Sequence, residues 1–406
     1  MERNVPKLRF KGFNDEWKID KLNENTYIKG RIGWKNLKQE EYTLKGPYLI
    51  AGKHINEGII NWDKCDHISE ERYEESMEIA LKDDDIIFSK DGSIGNPALI
   101  QNLKVKATIN GTMMLIRLDQ NEYEPSYFYQ ILKSEYFEKL IRNVKSGSSI
   151  PHIFQRDMIE FKFPVPGTLQ EQKRIANFLT KVDKIIEKQD EKVKNLEKYK
   201  KGMMQKIFSQ EIRFKDENGE AYPEWEIKRV EDVANIQVGF TPDTKNDSFW
   251  DGDIKWLSIA GMNSKYIFDG NKRISNEALG KRELIPKNTL VMSFKLTIGR
   301  LAIIKEPMIT NEAICQFYWK NKNIINEYMY QYLDSIRIES FGCRAAKGIT
   351  LNNESLNSII VKLPCLDEQN KIADLLNNID CIHQEELNKL NELKQWKKGL
   401  LQQMFV

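Results

Sequence analysis

One stretch of this chain occurs twice. Residues 171–208 and 368–405 align at a constant offset of 197, without a gap, over 38 positions. Glu171-Gln172 falls on Glu368-Gln369, Ile175-Ala176 on Ile372-Ala373, Asp183 on Asp380 and Leu196 on Leu393. Further along, Tyr199 meets Trp396, Lys200-Lys201-Gly202 meets Lys397-Lys398-Gly399, Gln205 meets Gln402 and Phe208 meets Phe405. Each copy reads as one long helix that closes a larger block.

The blocks open alike. Arg9-Phe10-Lys11 returns as Arg213-Phe214-Lys215, and Glu16-Trp17 as Glu224-Trp225. A period near 200 residues is far longer than a solenoid unit, so the chain consists of two homologous halves. Its 406 residues suit two domains of about 150 residues with connectors. Between opening and helix the halves match in patches: Ser89, Ile94 and Gly95 stand opposite Ser293, Ile298 and Gly299, and 107–110 resembles 308–311. Segments 122–137 and 326–341 predict short amphipathic helices, and 145–153 and 346–354 predict turns entering strands. Prolines in 161–166 and 361–366 mark the step into each long helix. Apolar runs at 86–88, 113–118, 290–293, 301–304 and 359–363 predict strands, so each block is α+β. The resulting division is 1–166 and 211–365 for the blocks, 167–210 and 366–406 for the helices.

The helices carry a sharper pattern. Ile175, Leu179, Val182, Ile186, Gln189, Val193, Leu196, Lys200, Met203 and Ile207 follow steps of four and three. The copy gives Ile372, Leu376, Ile379, His383, Glu386, Leu390, Leu393, Lys397, Leu400 and Met404. That is the seam of a coiled coil, and polar interruptions at matching places (Gln189/Glu386, Lys200/Lys397) can set its register. A helix of this length spans roughly 57 Å, longer than one block is wide.

Composition excludes several classes. Apolar residues at 40 % and charged residues at 30 % describe a soluble globular protein. No window holds 18 consecutive apolar residues, and the opening MERNVPKLRF lacks the apolar core of a secretory signal. Five scattered cysteines (65, 315, 343, 365, 381) fit reduced thiols in the cytoplasm. A net charge of +2 argues against a broadly basic DNA binder and leaves room for local patches.

Catalytic signatures are sparse. The chain lacks a dinucleotide-binding G-x-G-x-x-G, a phosphate-binding G-x-x-x-x-G-K and a zinc-type Cys/His cluster. Cys65-Asp66-His67 with His54 is loosely spaced and occurs in one half. Asn96-Pro97-Ala98 lacks the second proline and aromatic with which amino-methyltransferases hold a base. Asp243, Asp253 and Lys255 imitate the acids and lysine of a metal-dependent nuclease, but the first half has no counterpart. The plainer reading there is a Thr-Pro-Asp turn and a strand entry.

Glycine-containing polar turns recur at matched places. In the first half they offer Lys29, Arg31 and Lys35 (28–35), Lys90 and Ser93 (89–95), and Lys145, Ser148, Ser149 and His152 (144–152). In the second they offer Thr241 and Lys245 (238–245), Lys295 and Thr297 (293–299), and Arg344, Lys347 and Thr350 (342–350). Cations there can meet phosphates while hydroxyls, amides and His reach base edges, so these residues are candidate DNA contacts.

The proline step into E-Q-x-x-I-A, the run VGFTPDTKNDSFWDGDIKWLSIAGMN (238–263) and the duplicated helix together resemble the specificity subunit of type I restriction-modification systems. The likeness spans essentially the whole chain, although the first half lacks the Thr-Pro and Trp-Gly-Asp run. It implies two target-recognition domains separated by two long helices packed as an antiparallel coiled coil, a pseudo-twofold molecule from one chain. It implies a bipartite double-stranded DNA target with a fixed gap; two blocks this different imply two different half-sites. It also implies no catalytic site, no bound metal and no bound cofactor. Two adenine-methyltransferase (modification) subunits and endonuclease-translocase (restriction) subunits would be the partners, carrying S-adenosylmethionine, ATP and magnesium, with no membrane involved. The competing readings are a metal-dependent nuclease, a stand-alone methyltransferase, and a coiled-coil adaptor with no nucleic-acid role.

Overall fold

The structure is a computed structural model that describes residues 5–31, 37–147, 151–345 and 348–405, with the backbone alone for 343–345 and 348–350. Contacts divide it into two compact units, one of residues 1–190 with 388–406 and one of residues 191–387. Each unit thus holds one block and stretches of both long helices, Leu169–Phe208 and Leu366–Met404.

In the first unit an antiparallel sheet runs in the order Tyr27–Gly30, Met113–Arg117, Ile86–Ser89, Gly95–Leu99. A second sheet centres on Thr43–Ile50, antiparallel to Asp66–His67 and parallel to Ala107–Ile109. In the second unit the matching order is Ala234–Val238, Ile314–Trp319, Thr289–Ser293, Leu301–Ile304, extended by a parallel Tyr266–Ile267. Its smaller sheet centres on Ile254–Leu257, again antiparallel on one side (Lys272–Ile274) and parallel on the other (Ile309–Thr310). Halves whose sequences agree only in patches therefore share one topology. The central strands are buried on both faces, so β-branched and apolar residues suffice there and their identity can drift.

Two expectations need adjustment. Segment 122–137 is not one helix: Pro125–Leu132 stops, and Ser134 caps a new helix, Glu135–Ser146, by accepting the Tyr136 N–H. Segment 346–354 does hold a strand, Gly348–Thr350, whereas the described residues of 145–153 hold only an isolated bridge at His152. Short helices, Gln155–Ile159 and Asn353–Asn357, intervene before Lys162–Val165 and Ile360–Leu363. Pro164 sits in a two-stranded pair with Lys18–Lys21, a place where its missing N–H is tolerated.

The repeated motifs fasten each block to its helix. Arg9 grips Glu171 with two hydrogen bonds (Nε–Oε1 2.7 Å, Nη2–Oε2 2.9 Å), and Trp17 Nε1–H donates to the same carboxylate at 3.3 Å. In the second unit Arg213 grips Glu368 at 3.0 Å through both Nε and Nη2, and Trp225 Nε1–H donates at 2.9 Å. The neighbouring glutamine ties down a loop. Gln172 donates to Glu122 O (3.0 Å) and accepts the Glu124 N–H (2.9 Å); Gln369 donates to Asn323 O (3.0 Å) and accepts the Ile325 N–H (3.2 Å). The acids lie in the first turn of their helices, where the helix dipole also favours negative charge.

Within each unit the two helix segments run antiparallel. In the first, Leu8 and Arg9 join Gln403 and Glu171, while Asp183 is bonded to Lys397. In the second, Lys200–Asp380 (2.6 Å) and Lys192–Glu386 (3.0 Å) order the segments in opposite directions. The pairs Asp183–Lys397 and Asp380–Lys200 are one pair repeated by the 197-residue offset. The seam lysines are therefore matched by acids outside the seam. A glutamine from each block completes the arrangement: Gln130 Nε2 donates to Asp183 (2.8 Å) and Gln331 Nε2 to Asp380 (2.7 Å).

Seam residues Ile175, Leu179, Val182, Ile186, Val193, Ile207, Ile372, Leu376, Ile379, Leu390, Leu400 and Met404 are buried, and Leu196, Met203 and Leu393 half-buried. In the second unit Ile372, Leu376 and Ile379 share one core with Met204, Ile207 and Phe208 and with Tyr328 and Leu333 of the block. The seam thus serves the block as well as the helix pair. Phe208 packs edge-on against Tyr332, with ring centroids 5.3 Å apart; Phe405 does the same against Tyr127 at 5.7 Å.

Candidate nucleic-acid interface

The 89–95 and 293–299 turns leave corresponding strands, since Ser89 faces Met113 and Ser293 faces Ile314 on equivalent neighbours. Both need left-handed backbone twice: Gly92 (φ 67°) and Gly95 (φ 98°) in the first, Leu296 (φ 65°) and Gly299 (φ 82°) in the second. Ser93, Lys295 and Thr297 are exposed at these tips, with the Lys295 ammonium 5.0 Å from the Phe294 ring centroid. Lys90 points inward and its side chain is 15 % exposed.

Leu296 stands where the first unit has glycine, and it is 92 % exposed. A left-handed leucine costs roughly 1–2 kcal/mol that packing does not return here. Leu296→Gly is expected to stabilise the second unit by about 1 kcal/mol, less the entropy that glycine adds to the unfolded chain. A urea midpoint unchanged or lowered would show that the turn does not carry this strain.

The structure gathers some of the candidate residues. His152 pairs with Asp91 both as an isolated β-bridge and through an Nδ1–carboxylate hydrogen bond, and Ile153 N–H donates to Lys90 O at 3.0 Å. His152, Lys90 and Ser93 therefore share one corner. Lys29 is half-buried with its ammonium 5.7 Å from the Tyr27 ring centroid. Lys145 belongs to the last turn of Glu135–Ser146 rather than to a loop, and it is exposed. Arg31 differs most from expectation: it lies inside the block, because Ile109 O and Ser76 Oγ draw its guanidinium in. In the second unit Thr241 Oγ1–H donates to Glu312, and Lys245 is exposed on a turn where Asp243 accepts its N–H at 3.0 Å. Lys35, Ser148, Ser149 and Lys347 lie outside the described residues, as do the side chains of Arg344 and Thr350.

Two cation–aromatic stacks escaped sequence reading. The exposed Arg282 guanidinium lies 3.9 Å from the Phe240 ring centroid, next to Thr241, and Lys272 Nζ lies 4.8 Å from that of Trp250. The partners are separated by 42 and 22 residues, so no local pattern announces them. Of the nuclease-like residues, Asp243 braces its turn and Lys255 Nζ donates to Phe268 O at 3.1 Å. Among the described residues no three His, Cys, Asp or Glu side chains converge to hold a metal. No described helix is long and apolar enough to cross a membrane.

Two blocks of one topology, each clamped to a copy of the same helix, define a duplicated recognition module. A family model described as the type I restriction modification DNA specificity domain matches residues 14–198 and 222–395, and the chain belongs to that family. The MjaVIII specificity subunit of Methanocaldococcus jannaschii is 25 % identical over 420 residues, covering 98 % of this chain and 94 % of its own. The EcoBI specificity subunit of Escherichia coli is 22 % identical over 329 residues, covering 74 % and 69 %. A crystal structure of the type I restriction-modification S subunit from M. genitalium shares the fold, with a TM-score of 0.58 at 17 % identity and 99 % coverage of both chains. The chain is accordingly a DNA recognition subunit of a type I restriction-modification system, the non-catalytic component.

Proposed function

We propose that the two blocks read the two halves of an asymmetric, bipartite DNA target, and that the length of the duplicated helices sets the gap between them. The observation that carries this is the combination of identical mounting with dissimilar turns: the Arg–Glu–Trp clamp is repeated, whereas Lys90, Gly92 and Ser93 give way to Phe294, Leu296 and Thr297. Exposed Lys145, Lys245 and Lys295 supply cations for phosphates, while Ser93, His152, Thr241 and Thr297 offer groups that can reach base edges. The chain scaffolds two modification subunits, which bring S-adenosylmethionine and methylate adenine, and restriction subunits, which bring ATP and magnesium. Duplication of the helix supports the twofold stoichiometry, because each copy offers an equivalent surface to an identical partner.

Co-expression with a modification subunit, followed by sequencing that detects modified adenines, tests the reading. The expected product is one split motif with unequal halves and a constant gap. A continuous motif, or two identical halves, would contradict it.

A further inference from the structure

One cleft of the first unit is lined by cations and by no acid. Its ≈ 640 Å³ lie between residues 10–13 and the first turns of Leu169–Phe208, with Lys11, Lys173 and Arg174 in its walls beside Phe10, Gln170 and Asn177. All three cations are exposed, and among the described residues no carboxylate pairs with any of them. The Arg174 guanidinium lies 5.4 Å from the Phe10 ring centroid, and Phe178 braces Phe10 edge-on at 5.7 Å. An aromatic face thus steadies the arginine and leaves its N–H donors for an outside acceptor.

The surroundings do not neutralise the cleft. The neighbouring acids serve Arg9: Glu171, by hydrogen bond and charge, and Asp15, by charge, raise the Arg9 pKa. Along the helix the positions four residues away are neutral, Gln170 and Phe178 for Arg174, Leu169 and Asn177 for Lys173.

The second copy of the helix reverses this. The 197-residue offset turns Gln170, Lys173, Arg174 and Asn177 into Asp367, Asn370, Lys371 and Asp374. Formal charge over these positions changes from +2 (Lys173, Arg174) to −1 (Lys371 against Asp367 and Asp374). The cation that remains is engaged: Lys371 Nζ donates to Lys215 O at 2.7 Å and lies 5.3 Å from the Tyr222 ring centroid. The clamp is therefore repeated, but the helix surface beside it carries opposite charge in the two copies. A partner docked alike on both copies would meet attraction once and repulsion once, so the cleft is not part of that docking.

We propose that this cleft holds the phosphate backbone of DNA on the first unit, with Lys11, Lys173 and Arg174 neutralising phosphate oxygens. This rests on the DNA-recognition reading: duplex DNA is the polyanion such a chain must hold, and a cleft lined by one sign of charge concentrates it. Phosphate contacts position a protein without naming a base. The cleft accordingly adds affinity at the foot of the block, and base choice stays with the turns.

The test uses the full chain with its modification subunits, as wild type, as the triple variant Lys11→Gln, Lys173→Gln, Arg174→Gln, and as Gln170→Lys, which adds a cation to the same wall. DNA affinity is measured between about 50 and 200 mM salt, together with the modified-adenine motif. In the triple variant affinity should fall alike for cognate and non-cognate duplexes, with an unchanged motif and a salt slope shallower by about one per cation removed. Gln170→Lys should steepen the slope by about one. Wild-type affinity and slope in both variants would overturn the proposal while leaving the recognition reading standing. So would unchanged DNA binding with loss of the modification subunits, which would assign the cleft to an acidic protein segment. A motif altered at one base would also overturn it, since the cleft would then read sequence. Absence of any split motif in wild type would overturn both. All four substituted side chains are exposed, so the core is left intact.

Discussion

Glu368→Ala is expected to destabilise the second unit by about 3 kcal/mol, because it strands a guanidinium and an indole N–H at once. Glu368 is fully buried at the first turn of its helix and accepts the Trp225 Nε1–H. Arg213 also bonds Tyr222 O and Pro223 O, so it stays in place when the acid is lost, with only the exposed Glu224, at 3.5 Å, as a weak counter-charge. Glu368→Gln keeps an acceptor for one donor and should lose clearly less. Glu171→Ala, its counterpart, should act on the first unit through Arg9 and Trp17. Urea unfolding followed by tryptophan fluorescence checks this, since Trp17 and Trp225 sit in the two clamps. A two-unit chain need not unfold in one step, so the informative result is which transition moves. A loss below 1 kcal/mol in both variants would mean that the clamps do not hold the blocks.

Asp183→Ala is the second large effect, expected at about 3 kcal/mol. It leaves two ammonium groups, Lys133 and Lys397, facing the same emptied position. Burial pushes Asp183 up, but Lys133 and Lys397 together outweigh it and hold the carboxyl below its ordinary value. Lys397 is pushed down to about 8, first by burial and then by the charge of Lys133. A lysine whose folded pKa lies below its unfolded value gives up its proton on folding throughout the interval between them. Stability of the first unit should therefore rise with pH from about 8 towards the ordinary lysine value of 10.5. Lys133→Gln should flatten that rise, and Asp183→Ala with Lys397→Met should recover much of the single-variant loss. Urea midpoints at pH 7.5 and 9.5 that fall or coincide in wild type would refute the assignment.

Much of this architecture is legible in the sequence. The repeat, the α+β blocks and the two long helices follow from offset and periodicity, which are local properties of the chain. The meaning of Glu171-Gln172 is not. Its partners Arg9 and Trp17 lie 162 and 154 positions away, and a motif that looks like a signature proves to be a fastening. The seam lysines were visible as interruptions, but their acids lie off the seam, so ion pairing surfaced only when the segments were brought side by side. At the candidate interface, composition marks the turns as polar and cationic. It could not distinguish Arg31, drawn inward by a carbonyl and a hydroxyl, from Lys295, left in solvent beside Phe294. Cation–aromatic stacks such as Arg282–Phe240 depend on strand register and leave no trace in spacing.

The central claim is that two different readers stand on equivalent mounts. The most direct measurement replaces residues 213–360 with the corresponding block of a relative and determines the modified-adenine motif of the hybrid with its modification subunit. The expected result is that one half-site changes to the donor's while the other half-site and the gap stay fixed. An unchanged motif, or one in which both halves change together, would contradict the account.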